Sequence, residues 1–141
     1  MANDKPLLLT SQRQRQGSYF EQQASHFLQA QGLLLIAQNW HQPKVGEIDL
    51  VMLETDQGWS TLVFIEVRQR QQSNFGDAAL SVTPSKQRKI IKAARYFLQH
   101  HPEYSHHDCR FDVIAYNTVT AGKIKPELPE WFQGAFITAA W

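Results

Sequence analysis

The sequence contains a single cysteine, Cys109, among its 141 residues. One thiol cannot form a disulfide within the chain, and it excludes the Cys-x-x-Cys pairs found in many zinc and redox sites. The glycines form no phosphate-binding loop pattern, so we expect no nucleotide cofactor. These absences favour a reducing compartment and leave the carboxylates and the basic residues as the candidates for chemistry.

Long apolar runs are absent as well. No run approaches the roughly 18 residues that a membrane-spanning helix needs, and the first residues, MANDKPLLLTSQRQRQ, lack the features of a signal peptide. We therefore expect a cytoplasmic protein with no membrane partner. The 43% hydrophobic and 19% charged content and the mean hydropathy of -0.42 are typical of one globular domain. Residues 1–16 are polar and glutamine-rich, which predicts a mobile N-terminal arm before a single domain over residues 17–141.

The net charge is only +1, but the charges are unevenly distributed. Residues 61–100 carry seven basic residues against two acids, namely Arg68, Arg70, Lys86, Arg88, Lys89, Lys92 and Arg95. The residues at 88, 92 and 95 share one face of a helix because of their i, i+4, i+7 spacing, and Lys89 lies beside them. Such a row of cations is suited to the phosphate backbone of a nucleic acid. A solvated helix face is the alternative interpretation.

Two helices are predicted from apolar periodicity and capping residues. Ser18 and Glu21 have the spacing of a capping box, which predicts a helix over residues 18–31. Pro84 follows a threonine that can cap a helix, and an apolar stripe predicts a second helix over residues 84–100.

Four apolar segments predict strands, at residues 33–37, 48–53, 61–67 and 111–116. Turn-forming residues separate the second and third segments, so we expect a hairpin centred on Gln57 and Gly58. The aromatic residues 131, 132 and 136, with Ile137, predict a C-terminal segment that packs back on the domain.

The two strands of this hairpin carry acidic residues with alternating spacing. A hairpin that turns at Gln57 and Gly58 places Asp49 opposite Glu66, and residue 47, a glutamate, opposite Arg68. Two carboxylates that face each other in a buried sheet repel, and a divalent cation removes the repulsion. Carboxylate oxygens suit Mg²⁺ or Mn²⁺ far better than zinc. The sequence therefore predicts a metal site at Asp49 and Glu66.

Each of these residues also has a purely structural interpretation. A register slip of one residue moves Asp49 and Glu66 to opposite faces of the sheet. Glu21 is explained locally by the capping box, although its helix start also brings a third carboxylate towards the same cleft. The histidines at 100, 101, 106 and 107 lack zinc-site spacing, so we interpret them as exposed loop residues.

At these residues the sequence resembles the PD-(D/E)xK nuclease superfamily, and more closely the YraN-like family of predicted endonucleases. The resemblance covers about residues 17–115. It is carried by Gly17-x-x-x-Glu21-x-x-Ala24, Gly32, Asn39-Trp40, Gly46-Glu-Ile-Asp-Leu50, Phe64-Ile-Glu-Val67, Arg70, Phe75-Gly76, Lys86 and Arg110-Phe-Asp-Val113. It implies a restriction-endonuclease-like α/β fold in a single domain, in which helices flank a mixed β-sheet, related to that of Holliday-junction resolvases.

The resemblance also implies roles for individual residues. Asp49 and Glu66 would bind Mg²⁺ or Mn²⁺, and Glu21 would be an accessory acid. Arg68 stands where the motif has a lysine, and an arginine stays charged, so it cannot act as a base. Lys86, at the start of the basic helix, matches a family position, which leaves open an approach to the cleft and a role as a displaced catalytic cation.

The implied activity is hydrolysis of DNA, with branched or structured DNA among the expected substrates. The arginine at residue 68 leaves a second hypothesis open, a catalytically inactive nucleic-acid-binding module of the same fold. A third hypothesis is a protein-interaction role that uses the C-terminal aromatic residues around Trp131.

Overall fold

The computed structural model describes residues 12–70, 82–117 and 128–138. Its helices and strands are, in chain order, α1 (Gln12–Ala30), β1 (Leu34–Gln42), β2 (Gly46–Asp56), β3 (Trp59–Arg70), α2 (Pro84–His100), β4 (Asp108–Asn117) and β5 (Glu130–Phe136). A short 3-10 turn, Pro102–Tyr104, follows α2. No helix within these ranges has both the length and the apolar character needed to cross a bilayer.

The five strands form one mixed sheet in the order β1-β2-β3-β4-β5. Strands β3 and β4 are parallel, and every other neighbouring pair is antiparallel. A parallel pair needs a crossover connection, which is why α2 lies between β3 and β4 in the chain. The expected α/β fold, a mixed sheet flanked by helices, is confirmed.

The two helices cover opposite faces of the sheet. The cluster on the α1 face consists of Ala24, Leu28, Leu33, Leu50, Met52, Val63, Ile65, Ile114 and Tyr116. The cluster on the α2 face includes Ile48, Val51, Leu62, Phe64, Ile90, Ala93, Ala94, Phe97, Phe111, Val113 and Phe136. Burying one large apolar side chain contributes about 1.5–3 kcal/mol, so the central strands are held firmly between two apolar layers.

The β2–β3 hairpin has the register predicted from its turn. The ladder runs from Asp56 opposite Trp59 to Leu50 opposite Ile65. Gln57 has a φ of 50° and the glycine after it a φ of 87°. Two successive positive φ values define the type of two-residue turn that matches the twist of antiparallel strands.

The first helix begins earlier than predicted. It starts at Gln12, so Ser18 lies inside the helix and the predicted capping box is wrong. The glutamines and arginines before Ser18 are good helix formers, which lets the helix extend through a local pattern that resembles a start. The predicted mobile arm overlaps α1 by residues 12–16, and residues 1–11 lie outside the described residues.

The second helix has the predicted bounds. The Lys86 backbone N–H donates to the Thr83 hydroxyl oxygen at 3.2 Å, and Pro84 occupies the first turn. The Gln87 side chain donates to the Val82 carbonyl oxygen at 2.9 Å. These contacts fix the start of α2 against the chain that leads into it.

The last strand packs back on the sheet, as predicted for the C-terminal aromatics. Phe136 is buried and stacks on Phe111, with 4.9 Å between the ring centroids. The Trp131 indole N–H donates to Asp112 at 2.9 Å, and the ring packs edge-on against Phe27. Ile137, by contrast, is 84% exposed, so its predicted packing role is wrong. Trp131 is partly buried and makes these contacts within the domain, which argues against the protein-interaction hypothesis for this residue.

Candidate metal centre

Strand β2 is irregular at Asp49. Ile48 packs in the cluster on the α2 face, whereas Leu50 packs in the cluster on the α1 face. Residues two apart in a regular strand share a face, so the alternation breaks between them. Asn39, next to this point on β1, has a left-handed φ of 52°. Both strands therefore depart from regular geometry at the same place, β1 at Asn39 and β2 at Asp49, the candidate ligand.

This irregularity ends the ladder before the predicted carboxylate pair. The predicted ladder pairs Asp49–Glu66 and Glu47–Arg68 do not form, because the paired stretch stops at residues 50 and 65. The Val67 backbone N–H instead donates to Asp49 Oδ2 at 2.8 Å. That hydrogen bond still holds the Asp49 carboxylate beside β3, one residue from Glu66.

Three carboxyl groups meet at this end of the sheet. Glu21 comes from α1, Asp49 from β2 and Glu66 from β3. Asp49 is hydrogen-bonded both to Glu21 and to Glu66. Glu66 is only 7% exposed, whereas Glu21 and Asp49 are partly buried, so the group extends from the interior towards the surface. The sequence predicted the proximity of Asp49 and Glu66, and it left the place of Glu21 open.

This arrangement raises the pKa values of both glutamates. Burial raises the pKa of Glu66 to about 8, and the charge of Asp49 and its hydrogen bond add to the shift. Burial raises the pKa of Glu21 to about 7, again with the charge and the hydrogen bond of Asp49 as the next causes. Near neutral pH the metal-free site therefore retains protons that relieve the repulsion among the carboxylates.

Two cations approach the same oxygen of Glu66. Arg68 Nη1 lies 3.6 Å from Glu66 Oε2, and Lys86 Nζ lies 3.7 Å from it. Both charges lower the pKa of Glu66 against the effect of burial. Arg68 follows Glu66 by two residues on the same face of β3, whereas Lys86 reaches the site from the first turn of α2. The site thus combines three acids with two cations from four different elements.

Two residues of the site were missed or misplaced by sequence reasoning. The Asn39 side chain hydrogen-bonds Glu21 and lowers its pKa. Asn39 lies beyond the predicted strand of residues 33–37 but within the observed β1, and sequence reasoning assigned it no role in the site. An asparagine inside a strand is itself a signal, because asparagine has low β propensity and tolerates a left-handed φ. Lys86 was grouped with the basic helix, with an approach to the cleft left open, and the structure places its ammonium group 3.7 Å from Glu66 Oε2.

The donor set fits a hard divalent cation. Within residues 12–70, 82–117 and 128–138, no three His, Cys, Asp or Glu side chains form a ready-made metal cage. Mg²⁺ commonly binds through one or two carboxylates together with water and substrate phosphates, so such a cage is not required. Asp49 and Glu66 supply two carboxylates of that kind, and Glu21 lies in contact with Asp49.

The basic face of α2 is exposed as predicted. Arg88, Lys89, Lys92 and Arg95 are all exposed, whereas Ala94 is buried. Lys86, at the start of the same helix, is less exposed, with 33% of its side-chain surface accessible. The exposed row of cations therefore leads along α2 from the carboxylate site.

The conspicuous aromatic and histidine residues have packing roles. Trp40 packs edge-on against Phe97. The His101 ring stacks on Phe97 with 4.0 Å between the ring centroids, and the His100 ring stacks in the same way on Tyr96. His100 is exposed but lies at the end of α2, and His101 follows the helix and is partly buried, so the prediction of exposed loop residues is only partly right for this pair.

Helices on both faces of a five-stranded mixed sheet give an α/β fold consistent with the restriction-endonuclease-like class, and comparison with known proteins gives its family. The model of the uncharacterised protein family UPF0102 matches residues 20–116. The chain belongs to this family, which agrees with the YraN-like resemblance of its motifs. Its relatives include a UPF0102 protein of Psychrobacter cryohalolentis, which is 64% identical over 156 aligned positions that cover all of this chain and 91% of the relative. A UPF0102 protein of Alcanivorax borkumensis is 40% identical, and the match covers 93% of this chain and 97% of that protein.

Proposed function

We propose that this protein is a cytoplasmic Mg²⁺- or Mn²⁺-dependent nuclease that hydrolyses phosphodiester bonds in DNA, including branched or structured DNA. The observation that supports the proposal is the meeting of Glu21, Asp49 and Glu66 with Arg68 and Lys86 at one end of the sheet. Buried like charges are costly, and a fold that keeps three carboxyl groups in contact favours a cation-binding role over a purely structural one.

Each side chain of the site can be assigned a separate role in hydrolysis. The reaction forms a bond between a water oxygen and phosphorus and breaks one P–O ester bond. Asp49 and Glu66 would hold the metal, which supplies charge neutralisation and a lowered pKa for its water. The planar Arg68 guanidinium can bind two phosphate oxygens at once. Glu21 is in contact with Asp49 and would act beside the two ligands as an accessory acid.

The direct test is a cleavage assay with purified protein. Branched, single-stranded and duplex DNA are incubated with the protein in Mg²⁺, in Mn²⁺ and in EDTA. We expect metal-dependent cleavage of at least one substrate and none in EDTA. No cleavage of any substrate with either metal would reject the nuclease proposal.

A catalytically inactive binding module is the second candidate, and Arg68 is the residue that favours it. If an arginine at this position blocks turnover, Arg68→Lys should raise the cleavage rate by about 10²-fold or more, the usual size of an acid–base or orientation effect. We expect the opposite. The Arg68→Lys variant should cleave at the wild-type rate or more slowly, because lysine cannot bind phosphate oxygens in pairs. Rates from gel assays, with DNA affinity measured in parallel, distinguish the two outcomes.

The exposed face of α2 is the proposed contact for the phosphate backbone. Charge reversal of Arg88, Lys92 and Arg95 to glutamate should weaken binding to DNA of any sequence. It should also flatten the salt dependence, because each lost phosphate contact removes about 0.9 from the slope of log affinity against log salt on duplex DNA. Fluorescence anisotropy at several salt concentrations measures both effects. Wild-type affinity and slope in the triple variant would show that this face is only solvated.

A further inference from the structure

We propose that Lys86 is the catalytic cation of the site, the ammonium group that contacts the attacking water and the phosphate at the Glu66 carboxylate. This inference rests on the proposed nuclease function and adds a residue to it from a second element of the fold. The two positive groups at Glu66 would then have different tasks. Arg68 would bind the phosphate, and Lys86 would orient the water.

The first argument is position. Lys86 Nζ and Arg68 Nη1 lie 3.7 and 3.6 Å from the same oxygen, Glu66 Oε2. The two cations come from different elements, α2 and β3, and both reach the same carboxylate oxygen. A reacting group beside Glu66 would have both within reach.

The second argument is that Lys86 has a fixed backbone and a partly accessible side chain. Its backbone N–H is bound to the Thr83 hydroxyl, and Pro84 fixes the φ of the first helical turn. The side chain keeps 33% of its surface accessible, close to the 32% of Arg68, while the side chain of Glu66 keeps 8%. A group that must meet a substrate phosphate needs such accessible surface.

The third argument is chemical. An ammonium group is a compact charge with three donors, so it can hold a carboxylate, a water and a phosphate oxygen together. A guanidinium is planar and presents its donors as a fork, which suits two oxygens of one group.

The test compares Lys86→Met with Lys44→Met, which removes the same charge from an exposed position between β1 and β2. Single-turnover rates at several protein concentrations separate the cleavage step from DNA affinity. Lys86→Met should slow the cleavage step by about 10²–10³-fold, the usual cost of one positioned donor to developing charge. The DNA affinity should stay within about threefold, since one cation among several is lost. Lys86→Arg should recover only part of the rate.

A second readout does not depend on cleavage. Removing the positive charge of Lys86 beside Glu66 should tighten Mn²⁺ binding, because the ammonium group repels the cation. The expected gain in affinity is about tenfold, the repulsion between a single and a double positive charge about 6 Å apart in a water-like medium. Removal of the Lys86 charge favours the binding of a divalent ion at Glu66 by twice as much free energy as it favours the binding of a proton. The Mn²⁺ affinity should therefore still increase, although the pKa of Glu66 also rises. Calorimetry on the metal-free protein measures this change, and Lys44→Met should leave the Mn²⁺ affinity at the wild-type value.

The outcomes separate the two proposals. A wild-type cleavage rate or an unchanged Mn²⁺ affinity in Lys86→Met would overturn the role of Lys86 and leave the nuclease proposal standing. A loss of DNA affinity equal to the loss of rate would make Lys86 a binding residue and overturn it as well. Failure of the wild-type protein to cleave any substrate, with Mn²⁺ bound, would overturn the nuclease function and the role of Lys86 with it.

Discussion

Asp49→Asn should reduce metal-dependent cleavage by at least about 10³-fold while it raises the melting temperature of the metal-free protein. The loss of rate follows because Asp49 is a proposed metal ligand. Metal-ion catalysis lowers the activation free energy by several kcal/mol, and each 1.36 kcal/mol corresponds to a tenfold change in rate. The gain in stability follows because Asp49 is the negative charge that opposes ionisation of both Glu21 and Glu66. An asparagine oxygen can still accept the hydrogen bond from Val67.

The sign of the stability change depends on pH. The pKa of Glu66 is raised from 4.5 to about 8 and that of Glu21 to about 7, so the folded protein holds protons that the unfolded chain releases. The free energy of unfolding therefore falls as pH rises from about 4.5 to about 8. Asp49→Asn should weaken this pH dependence and stabilise the protein mainly above pH 7.

Urea unfolding of the metal-free protein at pH 5 and pH 8.5 measures this effect. Asp56→Asn is the matched control, because Asp56 is an exposed aspartate at the hairpin end of the same strand. The control should leave the pH dependence unchanged. If Asp49→Asn destabilises the protein at pH 8.5, the carboxyl groups are not in mutual repulsion and the account of the site is wrong.

Asp112→Asn should destabilise the protein by about 3–5 kcal/mol, the usual cost of removing one partner of a buried ion pair. Asp112 is fully buried and accepts four hydrogen bonds. Its Oδ1 accepts from Arg110 Nε and the Gly134 backbone N–H, and its Oδ2 accepts from Arg110 Nη2 and Trp131 Nε1. In either orientation, an asparagine amide would point its NH₂ group at two donors.

Thermal unfolding should show this loss as a melting temperature lower by about 10 °C or more. Glu54→Gln is the comparison, because it removes a charge from the same network at a partly exposed position, where Glu54 Oε1 lies 2.7 Å from Arg110 Nη1. We expect a cost of about 1 kcal/mol or less for that change. Equal costs for the two variants would mean that Asp112 does not anchor β5 to β4.

Much of the fold could be predicted from local patterns. The turn residues Gln57 and Gly58 fixed the hairpin register over seven pairs, because positive φ values and strand twist leave few alternatives. The bounds of α2 were correct because a cap, a first-turn proline and an apolar stripe agree. The start of α1 was wrong because a capping-box pattern also occurs inside helices, and only packing decides between the two.

The candidate site was predictable in composition but not in geometry. Asp49 and Glu66 came together as expected, but through a bend in β2 and a bond to the Val67 N–H instead of a regular ladder. A bend of this kind depends on tertiary packing and leaves no periodic signal. The position of Lys86 at Glu66 requires the crossover of α2 over the sheet, which spacing along the chain does not reveal.

The central claim, that Asp49 and Glu66 form a metal site, is tested most directly by titration calorimetry of the metal-free protein with Mn²⁺ at pH 8.5, above the pKa of about 8 of Glu66. The account predicts saturable binding to wild type, tighter than at pH 6 because the metal must displace protons. It also predicts no binding to Asp49→Asn. Absence of heat at millimolar Mn²⁺, or equal binding to wild type and Asp49→Asn, would contradict the account.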